Sequence, residues 1–231
     1  MKRFWKEAVA VPEDDGWGVG LDGKPLRTPA RKPLLVPGEK LALAIADEWS
    51  AAGENFDPRE MPLTGLANAA IDRVAADPDQ FAAGLASYGE SDLACYRAEA
   101  PRKLAERQEQ SFDPMLAWAR QRFDVDFRTT CGIIHVRQPD ATTQRLAHAV
   151  AALDPFRLAG LSPLVTIGGS LVVALSVLEG AISPEQAWDC VTVDERWQLE
   201  QWGSDAEAEA VLEARRSAFF AAARFLELLG D

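Results

Sequence analysis

Residues 17–25 have the sequence Trp-Gly-Val-Gly-Leu-Asp-Gly-Lys-Pro, and this stretch decides what the N-terminal part of the chain becomes. Trp17, Val19 and Leu21 alternate with glycines, and alternation at period two predicts a strand with one buried face. Asp22-Gly23 follows at once, and this dipeptide between extended runs strongly indicates a β-hairpin. Further prolines up to position 37 favour turns and edge strands, because proline cannot donate to a ladder. We therefore expect a β-rich N-terminal region.

The same stretch matches the dinucleotide-binding pattern G-x-G-x-x-G at residues 18–23. That pattern binds a pyrophosphate only when a helix begins directly after the glycines, because the helix N-terminus holds the phosphates. Here Lys24-Pro25 follows, inside the predicted hairpin. We therefore interpret these glycines as hairpin residues and predict that the chain uses no nucleotide cofactor.

Beyond Pro37 the apolar residues recur with the spacing of one face of an amphipathic helix. Met61-Pro62-Leu63-Thr64 opens one helix, and Ser183-Pro184-Glu185-Gln186 is a capping box with proline at the first helical position. Asp113-Pro114 and Ser204-Asp205-Ala206-Glu207 are interpreted as two further helix starts. The apolar stripes are Leu41, Ile45 and Trp49, then Leu63, Leu66, Ala70 and Val74, then Phe81, Leu85 and Tyr88, then Leu146, Val150 and Leu153, then Leu171, Leu175 and Leu178, and finally Leu212, Phe219, Ala223 and Leu226.

These patterns predict an α+β protein. A small β-rich domain is expected at residues 1–60, followed by a mainly helical domain at residues 61–231. Residues 124–137 are the one later stretch with strand character, which is given by Val125, Phe127 and Thr129 and then by Ile133, Ile134 and Val136. Strands from this stretch could join the N-terminal sheet.

Composition narrows the functional classes. The formal net charge of -12 repels phosphate backbones and anionic lipid surfaces, so we expect no nucleic-acid partner. The longest uncharged stretch, residues 158–178, is interrupted by Pro163 and Gly168-Gly169, which favours a buried helix over membrane insertion. Three scattered cysteines and two histidines give neither a disulfide framework nor the spacing of a metal site.

Candidate catalytic residues are few. Cys95 would need a histidine base to act as a nucleophile, so we interpret it as a buried free thiol. Asp72-Arg73 and Asp92 with Arg97 are interpreted as ion pairs at helix ends. The alternative enzyme hypothesis is a hydrolase that uses Asp72, Asp92 or Cys95 in a cleft between the two domains, where paired carboxylates would do acid–base work.

The segment 194–203, Asp-Glu-Arg-Trp-Gln-Leu-Glu-Gln-Trp-Gly, combines acids, amides and tryptophans. On a helix, one stripe holds Trp188, Val191, Glu195, Gln198 and Trp202. A carboxylate and an amide thus lie among aromatic side chains on one face of the helix, whereas a face that is simply buried would be apolar throughout.

Two interpretations of this segment remain open. In the first, Glu195 forms an internal salt bridge with Arg73 or Arg97, because a buried carboxylate needs a cation, and the tryptophans belong to the core. In the second, the segment is a surface patch whose aromatic side chains and acids contact a basic group of a partner protein. The residues by themselves favour the first interpretation.

Several short pieces, spread over nearly the whole chain, match one family in order and spacing. The pieces are Leu21-Asp22-Gly23-Lys24-Pro25 with Thr28-Pro29, Glu48-Trp49, Met61-Pro62-Leu63-Thr64, Asp72-Arg73, Asp92-Leu93 with Cys95-Tyr96-Arg97, Arg107-Gln108, and Asp194-Glu195 with Trp197-Gln198, Glu200 and Trp202-Gly203. In these pieces the chain resembles the ATP synthase assembly chaperones that hold the alpha subunit of the F(1)-ATPase head before it joins the beta subunit. Phe112 and Ser204 depart from the family pattern, which has tryptophan and an acidic residue at these positions.

The resemblance implies a non-enzymatic chaperone that binds the unassembled alpha subunit, prevents its aggregation and needs no cofactor or metal. The partner-binding residues are then expected to be Glu195, Trp197, Gln198, Glu200, Trp202 and Gly203. Eukaryotic members act in the mitochondrial matrix, whereas this chain begins directly in its first strand. We therefore expect a bacterial, cytoplasmic protein that is monomeric when free. An adaptor for an unrelated client is a further alternative.

Overall fold

The computed structural model describes residues 2–203 and 205–230 and confirms the α+β class. Packing divides the chain into two compact units. The first runs to Pro78 and includes Asp154–Gly160 and the chain from Arg224 onward, and the second comprises Asp79–Leu153 and Leu161–Ala223. The domain limits expected from the sequence, 1–60 and 61–231, stay a prediction.

The first unit contains one antiparallel sheet, in which the second strand pairs with the three others. The elements are β1 (Ala8–Glu13), β2 (Gly16–Leu21), β3 (Lys24–Pro25), β4 (Leu35–Val36), α1 (Glu39–Ala51) and α2 (Pro62–Asp72). Asp22 and Gly23 join β2 to β3 with φ angles of 48° and 76°, so the predicted hairpin is confirmed. The G-x-G-x-x-G residues lie in β2 and this turn, as interpreted.

The first turn of α2 is capped by a carboxylate from another helix. Glu48 of α1 accepts hydrogen bonds from the backbone N–H of Leu63 at 2.8 Å and of Thr64 at 2.9 Å, and these donors have no partner within the helix. Trp49 donates its ring N–H to the Thr64 hydroxyl at 3.1 Å. The Glu48-Trp49 and Met61–Thr64 pieces of the family pattern therefore contact each other and connect α1 to the start of α2.

The core of the first unit lies between the sheet and α1. Val19, Val36 and Ile45 are fully buried there, and Phe225 from the end of the chain packs into the same cluster. A smaller aromatic cluster forms around Trp5, whose ring lies 4.8 Å from that of Trp49. The alternating apolar residues of β2 are thus covered by α1.

Position 16 in the sheet requires glycine. Its φ is +143°, and a Cβ built there would lie 2.6 Å from the carbonyl oxygen of Val36. We expect Gly16→Ala to lower the free energy of unfolding by about 2 kcal/mol, from backbone strain and the clash. Urea unfolding measures this, with Gly65→Ala as the control, because Gly65 lies in α2 with open space around it. Equal stability of the two variants would contradict the prediction.

The second unit is mainly helical, and α6 and α10 have residues in both units. The elements are α3 (Pro78–Ala86), β5 (Tyr96–Arg97), α4 (Arg102–Phe123), β6 (Thr130–Cys131), α5 (Asp140–Ala151), α6 (Pro155–Gly168), α7 (Leu171–Leu178), α8 (Pro184–Val191), α9 (Val193–Trp202) and α10 (Ala206–Leu229). Within the described residues, no helix is both long and apolar enough to cross a bilayer.

Two sequence expectations about this unit are wrong, one is confirmed, and one falls on a residue outside the described part of the chain. Asp113-Pro114 does not start a helix, because Pro114 lies inside the continuous helix α4. Residues 130–131 pair in parallel with residues 96–97, so 124–137 adds no strand to the N-terminal sheet. The Ser183 capping box is confirmed at the start of α8, whereas the one assigned to Ser204 lies outside the described residues.

Candidate partner-binding surface

A break at Thr192 separates α8 from α9. The Thr192 hydroxyl donates to the carbonyl of Trp188 at 2.6 Å, which ends α8. Trp188 is buried against the ring of Phe219 at 5.4 Å. The expected stripe from Trp188 to Trp202 is therefore wrong: Trp188 is a core residue, and the stripe on α9 begins at Glu195.

The inner side of α9 is fixed to α4. Trp197 is buried, and the Arg107 guanidinium lies 4.8 Å from its ring centroid. Arg107 also forms an ion pair with Glu200 at 2.7 Å. Asp194 accepts a hydrogen bond from the buried Gln108 amide at 2.7 Å. Trp197 and Glu200, two of the predicted site residues, therefore help to hold α9 in place.

Glu195 faces α10. It pairs with Arg215 at 3.0 Å, and each side chain is about one-third exposed. Neither expected partner takes part, since Arg97 instead pairs with Asp113 at 2.5 Å. The internal salt-bridge interpretation is corrected accordingly: the pair joins two helices at the surface and leaves part of the carboxylate accessible.

The outer side of α9 forms a groove with the first half of α10, and we call it the α9–α10 groove. Its apolar part is unusually open, because Trp202 is 79% exposed and Val211 is 56% exposed. Gln198 is also exposed. The groove is lined by Glu195, Gln198, Trp202, Asp205, Glu207 and Val211, among others. It thus combines an exposed aromatic surface with a rim of carboxylates.

Gly203 has a conformational reason to be glycine. It ends α9 with φ 81° and ψ 179°, a region essentially restricted to glycine, and its N–H donates to the carbonyl of Leu199 at 2.9 Å. This sharp end leaves Trp202 at the tip of the helix.

Four of the six predicted residues therefore meet in one groove: Glu195, Gln198, Trp202 and Gly203. Sequence reasoning missed Val211 and Arg215, and it named Arg107 as part of the family pattern without its partners on α9. The one available signal for Val211 was its place beside Leu212 in an otherwise alanine- and glutamate-rich run. The arginines give no local signal, because their partners are distant in sequence.

The candidate catalytic residues have structural roles. Asp92 is fully buried and accepts hydrogen bonds from the Ser170 hydroxyl at 2.7 Å and from the Val172 N–H at 3.0 Å, so it caps α7. Burial raises its pKa above the ordinary value, although these donors oppose the shift. The expected Asp92–Arg97 ion pair is not formed, because Arg97 pairs with Asp113.

Cys95 and Asp72 are likewise engaged. Burial raises the pKa of the Cys95 thiol to about 12, with the nearby Asp92 contributing, so the reactive thiolate is strongly disfavoured. Asp72 accepts from the Thr28 hydroxyl at 2.8 Å and the Ala30 N–H at 3.0 Å, where an ion pair with Arg73 was expected. These three residues therefore serve folding.

Comparison with known proteins gives consistent matches. A model of the family described as ATP12 chaperone protein matches residues 2–120. Protein atp12, mitochondrial, from Schizosaccharomyces pombe is 25% identical over 223 residues, which is 91% of this chain and 77% of the relative. The crystal structure of Atp12 from Paracoccus denitrificans is 44% identical with a TM-score of 0.93, covering 99% of this chain and 98% of that one. A structure from Agrobacterium tumefaciens is 38% identical with the same TM-score, covering 99% and 86%.

Proposed function

Because the chain belongs to the ATP12 chaperone protein family, we propose that it is an assembly chaperone of F(1)-ATPase that binds the unassembled alpha subunit. A subunit that lacks its neighbour exposes apolar surface meant for that neighbour, and such patches aggregate. The chaperone covers this surface until the beta subunit replaces it. No covalent bond is made or broken in this activity.

The α9–α10 groove is the observation that carries the proposal. Large aromatic side chains in the centre of a surface, surrounded by polar groups, are typical of protein–protein hot spots. Trp202 supplies such an anchor, and Val211 extends its apolar area. The carboxylates of Glu195, Asp205 and Glu207 give the rim a negative character that suits a partner with lysine or arginine beside its apolar residues.

A second support comes from the residues that make up the family pattern. Many of them have internal partners: the carboxylates of Glu48 and Asp92 bind backbone N–H groups, and Gln108 binds Asp194. Gln198 and Trp202 differ, since neither side chain forms a hydrogen bond, ion pair or ring contact with another described residue. A role outside the folded chain accounts for their presence in the pattern.

The complex has to dissociate when the beta subunit arrives, which favours a modest interface with a polar rim. In this proposal Trp202 anchors the interface and Glu195 fixes its register, while Glu200 acts indirectly by holding α9 against α4 through Arg107. The free chain is a monomer in the bacterial cytoplasm.

Co-expression with the alpha subunit alone tests the function. We expect the alpha subunit to remain soluble and to co-purify with this chain, whereas it precipitates beside an unrelated protein of similar size. A soluble fraction that does not depend on this chain would contradict the proposal. Recovery of a different client from the native host would support the adaptor alternative.

Charge reversal at Glu195 tests the rim of the groove. We expect Glu195→Lys to bind the alpha subunit about tenfold more weakly, because a lysine would repel the basic groups of the partner. Melting should change little, since partly exposed ion pairs contribute little to stability. Binding titrations and thermal melts measure both effects.

A charge swap is the matched control. Combining Glu195→Arg with Arg215→Glu restores an ion pair between α9 and α10 but keeps the charge at position 195 reversed. We expect the melting temperature of the swapped variant, like that of Glu195→Lys, to stay close to that of the wild type while binding stays weak. Full recovery of binding in the swapped variant would mean that Glu195 acts only by holding the helices together.

A further inference from the structure

Two adjacent isoleucines lie in solvent on the second unit. Ile133 is 99% exposed and Ile134 is 76% exposed, both in the loop between β6 and α5. Isolated apolar side chains are common on protein surfaces, but neighbouring β-branched pairs with this exposure are not. A loop free to rearrange would be expected to bury them.

This loop is held at both ends. At its start, the N–H of Gly132 donates to the Arg97 carbonyl at 2.8 Å, next to the β5–β6 pair. Near its end, the buried Gln138 amide binds both backbone groups of Arg128, accepting from its N–H and donating to its carbonyl, each at 2.9 Å. The loop that carries the two exposed isoleucines is therefore fixed by hydrogen bonds on both sides of them.

Ile133 forms one wall of a second groove, which also contains Leu93, Leu104, Asp194 and Gln198. Gln198 lines the α9–α10 groove as well. The two grooves thus meet at one residue of α9, and a single bound segment can extend from one to the other.

The charge of the second groove indicates what it would bind. Carboxylates of Glu99 and Asp194 line it. Among the described residues that line it, Arg97 supplies the one guanidinium, which already binds the Asp113 carboxylate and the carbonyls of Ala94 and Tyr96. The groove therefore combines apolar walls with carboxylates whose negative charge Arg97 does not neutralise. Such a groove suits a segment whose apolar side chains are flanked by lysine or arginine.

We propose that the Ile133–Ile134 loop is a second contact for the client, and that one apolar, basic segment of the alpha subunit crosses α9 at Gln198 to reach it. This inference rests on the proposed function and adds a surface that the family pattern does not contain. Two separated anchor points would fix the direction of the bound segment along α9.

The test is a double variant, Ile133→Ser with Ile134→Ser, titrated with purified alpha subunit. We expect roughly tenfold weaker binding, because two exposed β-branched side chains lose the apolar area they would bury. Helicity and melting should match the wild type, since neither side chain is packed. Phe4→Ser is the matched control, because Phe4 is 74% exposed on the first unit, and it should bind normally.

A photo-crosslinking residue at position 133 provides the second measurement. It should capture the alpha subunit at a peptide with apolar residues beside lysine or arginine. If the double variant binds like the wild type while Trp202→Ala does not, the second contact is wrong and the proposed function stands. If the wild type itself fails to bind, both are wrong. Capture of a second copy of this chain at position 133 would also overturn the inference.

Discussion

The Trp202→Ala variant is expected to bind the alpha subunit roughly a hundredfold more weakly than the wild type, the loss typical of a central aromatic hot spot. The indole is the largest exposed apolar surface in the α9–α10 groove. Removing it takes away apolar area without disturbing packing, because the ring makes no contact with another described aromatic ring. The circular dichroism spectrum and the melting temperature should therefore be unchanged.

Trp202→Phe is the conservative control for this prediction. Phenylalanine keeps most of the apolar area, so we expect its affinity to stay within about threefold of the wild type. Binding titrations of the three proteins against purified alpha subunit give the comparison. An alanine variant that binds as tightly as the wild type would remove the groove from the client interface.

Asp92→Ala is expected to lower the free energy of unfolding by about 3–5 kcal/mol. Three donors point at this fully buried carboxylate: the Ala94 N–H at 2.9 Å, the Ser170 hydroxyl at 2.7 Å and the Val172 N–H at 3.0 Å. Alanine leaves these donors without their acceptor in a fully buried site, and each unpaired donor costs free energy. The start of α7 would then keep Ser170 as its N-cap but lose the acceptor of the Val172 N–H.

Chemical unfolding measures this loss. Asp189→Ala is the control, because that carboxylate is exposed and its ion pair with Arg196 should contribute less than about 1 kcal/mol. If Asp92→Ala is no less stable than Asp189→Ala, the carboxylate is not a structural cap, and its role would have to be sought in chemistry.

The parts of the fold that sequence predicted correctly are those set by short-range chemistry. Asp22-Gly23 needs left-handed backbone in a tight turn, and Ser183 with Gln186 satisfies helix N–H groups three residues away. These interactions are complete within a few residues, so the residue types alone specify them. The strand alternation in β2 is equally local.

The errors arose where long-range packing decides. Asp113-Pro114 has the composition of a helix start, yet Phe112 and Leu116 are both buried on the same helix, and their burial holds α4 together through the proline. Val125 and Phe127 alternate because both are buried in an irregular segment, without a ladder. Burial thus produced patterns that local chemistry would assign to other structures.

The candidate site was predicted in part. The resemblance identified the acids and tryptophans of α9, but not which side of the helix each one occupies. The break at Thr192 and the arginines on α4 and α10 determine that Trp197 faces inward and Trp202 outward. These determinants lie in three separate parts of the chain, so only the folded chain brings them together.

Light scattering by the alpha subunit, diluted from denaturant, tests most directly whether the α9–α10 groove shields an aggregating surface. With an equimolar amount of the wild-type chain, we predict that scattering stays near the baseline. With Trp202→Ala at the same concentration, it should rise as fast as with an unrelated protein. Equal protection by both chains, or none by the wild type, would contradict this account.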